Sequence, residues 1–202
     1  MKRILTMLVL AAAALFAPAA MADISTFRST MSGPSEVPPN PSPGYGVAEI
    51  VIDDVAHTMT MMIPFNDLLG GTTAAHIHCC VGTPLDPLGV AAPATETPTL
   101  SGFPLGVTSG VYNVTMNLLD PTTYSTAFLT ANGGSAASAE AAFIAGILGN
   151  TAYLNIHTNL YPGGEIRGYL VNVAVIPEPS QWMMLSLGLF ATGLAVRRAR
   201  RK

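Results

Sequence analysis

Between residue 3 and residue 201 the chain contains no lysine. Within residues 23–175 only Arg28 and Arg167 carry fixed positive charge, against eleven aspartates and glutamates. Nucleic-acid binding needs a cationic footprint to neutralise phosphates, so that class of partner is excluded. Cysteine is nearly absent: Cys79 and Cys80 are the only two, and they are adjacent. The spaced-cysteine frameworks that staple small secreted domains are therefore excluded. Catalytic signatures are missing as well. There is no Gly-x-Ser-x-Gly elbow, no phosphate loop and no His-Glu-x-x-His, so the chain is not expected to be an enzyme. Nor does it show the strand–helix alternation of a parallel α/β sheet.

What is present is histidine, concentrated in two places. Of four histidines, three fall in Ala74-Ala75-His76-Ile77-His78-Cys79-Cys80 and Tyr153-Leu154-Asn155-Ile156-His157-Thr158. Both stretches alternate as strands do, with side chains two apart on one face. His76 and His78 therefore project together, as do Asn155 and His157. Two such strands side by side bring three imidazoles to one place.

Both ends read as addresses rather than fold. Met1-Lys2-Arg3, an apolar run over 4–17 and Ala20-Met21-Ala22 form a basic, apolar and small-residue series, the pattern of a signal peptide over residues 1–22. At the other end Pro177-Glu178-Pro179 precedes an apolar run, 182–196, and the basic tail 197–202. The run is short for a membrane-spanning helix, but thinning and snorkelling accommodate it. The tail's cations keep it cytoplasmic and the body outside.

These C-terminal features, in this order, resemble the PEP-CTERM sorting signal of Gram-negative bacteria. The resemblance implies an exosortase-type sorting enzyme acting near Pro177, Glu178 and Pro179. It also implies transit as a membrane-anchored protein with a periplasmic body, and delivery to the cell surface or outside, where exopolysaccharide or surface proteins are the expected partners.

In the body, residues 23–175, strands are expected at 26–32, 44–53, 58–65, around His76, at 111–118, around His157 and at 165–175. Prolines bar residues 33–43 from a sheet interior. Residues 81–110 read as a long loop, with a short strand near 99–103. Asp120 caps a short helical turn begun by Pro121, which residues 123–131 are able to continue. One helix is expected over 138–148, capped by Ser138 and ended by Gly149. The fold class is mainly β: about seven strands without a strand–helix–strand rhythm point to an antiparallel sandwich or barrel, here taken as a Greek-key-like β-sandwich of about seven or eight strands with one short helix.

Four segments carry a second likeness: Met31-Ser32-Gly33-Pro34-Ser35-Glu36-Val37-Pro38-Pro39, Ala74-Ala75-His76-Ile77-His78, Tyr153-Leu154-Asn155-Ile156-His157-Thr158 and Pro162-Gly163-Gly164-Glu165-Ile166-Arg167-Gly168. In this order and spacing they resemble the CHRD domain first described in chordin. The resemblance spans about 24–173 and implies an immunoglobulin-like or superoxide-dismutase-like sandwich without a defined activity. It makes a non-enzymatic binding or structural module the expected function.

The alternative is a copper- or zinc-binding protein using His76, His78 and His157, joined by Glu165 or a cysteine thiolate, since imidazole suits both metals. Dismutase chemistry is not expected, because that kind of dinuclear site uses six histidines and this chain has four. Cys79 and Cys80 admit a strained vicinal ring, bridges between chains, free thiols or thiolate ligation. Across a trans peptide their α-carbons are about 3.8 Å apart, closer than the usual ~4.4–6.8 Å of a disulfide. Glu165 and Arg167 share a strand face and read as an ion pair, with Glu36 as another partner for Arg167. His57 reads as a solvated turn residue.

Overall fold

The computed structural model describes residues 24–173 and Leu189. The expected signal peptide, the Pro177-Glu178-Pro179 motif and the basic tail lie outside the described residues, as does all of the expected membrane segment except Leu189. Among the described residues no helix is long and apolar enough to cross a membrane.

Among the described residues eight strands form: β1 (Ile24–Ser32), β2 (Tyr45–Asp53), β3 (Thr58–Asn66), β4 (Thr72–His78), β5 (Gly110–Asn117), β6 (Tyr153–Thr158), β7 (Ile166–Tyr169) and β8 (Val171–Asn172). All their pairings are antiparallel. The expected layering is built from a single sheet rather than two. Its order is β4-β6-β7-β1-β2-β3-β5, with β8 also on β1, and it curls into a half-barrel. The join is β1, which pairs with β2 along its whole length and with β7 and β8 on its other side.

Period-two burial explains why these residues form strands. In β3, Met59, Met61, Ile63 and Phe65 are fully buried while their neighbours face outward. Phe27 and Met31 of β1, Ile50 of β2 and Ile77 of β4 join them. Burying each such side chain stabilises the fold by ~1.5–3 kcal/mol. Two helices complete this core, α1 (Thr126–Ala131) and α2 (Ala136–Leu148), through Phe128, Phe143 and Ile147.

Several boundaries differ from the sequence expectation. Within residues 24–173 there are two α-helices rather than one. Helix α2 starts earlier, because the Ser135 hydroxyl, not that of Ser138, accepts the capping N–H. Asp120 does accept from the Thr122 N–H and Gly149 does end α2. The final strand is broken at Leu170, whose side chain is fully buried and whose N–H turns to the Ala152 carbonyl. No strand forms near 99–103. The long loop instead runs along the open edge of β4. There Thr95 and Thr99 hydroxyls accept the N–H groups of Ile77 and Ala75. The Ile77 carbonyl accepts from Ala94 and Thr95, and the Ala75 carbonyl from Leu100. An edge strand exposes unpaired backbone groups, and these contacts satisfy them.

Candidate metal centre

Register carries the two histidine stretches into one cluster. In the β4–β6 ladder Ala74 pairs with His157, His76 with Asn155 and His78 with Tyr153. Ala75, Ile77, Leu154 and Ile156 fill the core on the other face. The histidine face is covered in turn by the long loop, so His76 and His78 are both buried.

Each imidazole is held through one nitrogen by a backbone carbonyl. His76 Nε2 lies 2.8 Å from the Pro98 carbonyl, His78 Nδ1 2.8 Å from that of Ala91, and His157 Nδ1 2.9 Å from that of Pro162. A carbonyl only accepts, so each of those nitrogens carries the proton, and the other nitrogen of a neutral ring keeps its lone pair. Those remaining atoms face inward. His76 Nδ1 and His157 Nε2 are 3.2 Å apart, and His78 Nε2 is buried with no partner. Ligand atoms of the three histidines all lie within 4.8 Å of one another.

Electrostatics keep the rings neutral. Burial lowers the pKa of His76, aided by the charge of His157, and burial lowers that of His157. Burial takes His78 down to about 4. The His78 ring stacks on Tyr153 with centroids 4.8 Å apart, and the Arg167 guanidinium lies 4.6 Å over the same tyrosine.

Arg167 is 3% exposed. Its nitrogens donate to the carbonyls of Ser35 (2.6 Å), Gly89 (3.0 Å) and Pro87 (3.2 Å). The expected pair with Glu165 does not form, because Arg167 is spent on loop carbonyls and Glu165 on a different loop. Glu165 is fully buried and accepts from the Ser42 and Thr158 hydroxyls and the Leu69 and Gly70 N–H groups. Burial pushes its pKa up, but those four donors together hold it below the ordinary range. With both oxygens engaged, Glu165 serves as a loop anchor and is not among the clustered ligand atoms.

Arg167 makes no direct ion pair with Glu36 either. Glu36 accepts from the Asn155 amide, Nδ2 to Oε1 at 2.6 Å, and burial raises its pKa to about 7 against the opposing charge of Arg167.

The cysteines are bonded to each other, across a cis peptide with α-carbons 3.0 Å apart, and not across the trans peptide assumed from sequence. Neither is a free thiol. Their sulfurs lie against Gly146 of α2, where an added β-carbon would strike both. That position packs on the helix, and neither cysteine belongs to the histidine group. His57 is not merely solvated: its Nδ1 meets the buried Glu140 carboxylate of α2 at 2.9 Å. Asn155, Tyr153 and the carbonyl partners were not singled out from sequence. The alternation Tyr153-Asn155-His157 marks the first two, whereas nothing local marks the carbonyls.

A family model for the CHRD domain matches residues 27–170. The chain belongs to the CHRD-domain family. The three histidines, Glu36, Glu165 and Arg167 all lie inside the CHRD domain, so the clustered site is part of the domain itself. The family assignment is that of a binding or structural module. No curated protein and no solved structure matches the chain.

Proposed function

We propose that this CHRD domain is an exported, non-enzymatic binding module and that its ligand is a copper or zinc ion held by His76, His78 and His157. One observation carries the reading: two buried imidazoles, His76 and His78, and the half-buried His157 turn their lone pairs toward one another while their N–H groups are fixed on carbonyls. Purely structural histidines fix loops equally well with the second nitrogen in water. Here His78 Nε2 has no partner and two lone-pair nitrogens face each other at 3.2 Å. Such an arrangement is unfavourable without a cation, and a ligand histidine oriented through its other N–H is the usual support of a metal site. The donor set is all imidazole, which suits copper and zinc.

The address follows from the two termini. The 1–22 leader and the PEP-CTERM-like tail support export, membrane anchoring in transit through 182–196, and processing by an exosortase-type enzyme at the cell surface. Exopolysaccharide and surface proteins are the partners available there.

The test is metal analysis of the mature protein purified from the periplasm, stripped with chelator and titrated with copper(II) or zinc. One ion per chain is expected, with stoichiometric binding lost in His76→Ala and His157→Ala. Wild type that takes up no stoichiometric ion, with both variants merely less stable, overturns the metal reading and leaves a metal-free module.

A further inference from the structure

We propose that Asn155 holds the exchangeable fourth ligand of the ion, a water or hydroxide, through its side-chain carbonyl Oδ1. This rests on the three-histidine reading. Asn155 is the register partner of His76 and lies two residues before His157 on the same face. Directly paired residues have β-carbons about 4.5–5.5 Å apart, so the Asn155 amide borders the cluster.

The orientation of that amide is fixed. Nδ2 donates to Glu36 Oε1 at 2.6 Å. Gly164, at φ 133°, packs so close that a β-carbon there would strike both Nδ2 and Glu36. Oδ1 is thereby turned away from Glu36, and it is buried with no hydrogen-bond partner in a residue 2% exposed. A buried acceptor left without a donor costs about 1–3 kcal/mol.

Among the described residues four buried side-chain atoms lack partners, and two of them, His78 Nε2 and Asn155 Oδ1, belong to this one face. An ion satisfies the first directly. A site with three protein ligands keeps a fourth position for water, and a water there has a proton to donate to Oδ1. One bound ion with its water thus removes both unpaired groups.

Two variants test the proposal, with zinc affinity and the visible spectrum of the cobalt(II)-loaded protein as readouts. Asn155→Ala should keep one ion per chain, bind zinc about tenfold more weakly, and shift the cobalt spectrum. Asn155→Asp should bind zinc more tightly than wild type, because it places charge beside the bound water. Its metal-free form should melt lower, because it loses the donor to Glu36. A merely structural asparagine cannot give those opposite signs. Affinity and apo stability that fall together in both variants overturn the proposal. In the wild type, azide added to the copper(II)-loaded protein should produce a charge-transfer band by displacing the water. Absence of that band overturns it without any variant. Failure of the wild type to bind any ion refutes the three-histidine reading itself.

Discussion

His76 and His157 confront each other across the β4–β6 ladder with Nδ1 of one 3.2 Å from Nε2 of the other, and neither atom has a proton to offer. Both rings have given their N–H to carbonyls of flanking loops, Pro98 and Pro162. The loops therefore set the chemistry of the pair as much as the strands do.

The first prediction concerns pH and the histidines. Burial holds all three imidazoles below the ordinary 6.5, with His78 at about 4. The unfolded chain takes up protons as pH falls below about 6.5, and the folded metal-free protein does not until lower pH. Stability from these groups is therefore full above 6.5 and is lost as pH falls toward about 4. NMR titration of the metal-free protein should find the His78 ring neutral at pH 5.5. A His78 ring that titrates at the ordinary value contradicts this.

Glu36 has the opposite sign. Its carboxyl is raised from 4.5 to about 7 by burial. Between those values the folded protein holds a proton that the unfolded chain has released, so stability falls as pH rises through that window. Glu36→Gln should remove that part of the slope. The check is the difference between wild-type and variant denaturation free energies at pH 4.5 and pH 7.5. A difference that does not change with pH removes Glu36 as the source.

The β4 edge gives a third prediction. Thr95→Val and Thr99→Val keep shape but delete the acceptors of the Ile77 and Ala75 N–H groups. Each substitution should cost ~1–3 kcal/mol, the penalty of a buried unpaired donor. Amide exchange at Ala75 and Ile77 should accelerate in the double variant. Unchanged exchange means that the loop is held on β4 by other contacts.

The strands were legible from their alternation, weak as it is over 26–32. Phe27 and Met31, Met59 through Phe65, and His76 with His78 all keep period two, because one face of each strand meets the core. The break at Leu170 was not legible, because an apolar run reads the same whether its middle residue continues a ladder or turns inward. The sandwich was expected as two sheets because nothing local announces that β1 is paired on both sides. Glu165 and Arg167 looked like a pair from their spacing. Their partners are Ser42, Leu69, Gly70 and Thr158 for the one and Ser35, Pro87 and Gly89 for the other, and all but Thr158 are remote in sequence.

By itself the sequence determined that the body is β-rich, poor in cations and equipped with two histidine-bearing strands, because alternation and composition are local properties. Tertiary structure alone decided that the three lone pairs meet. Which nitrogen of each ring keeps its proton depends on loop carbonyls 5 to 22 positions away in the chain, and only folding brings those to the rings.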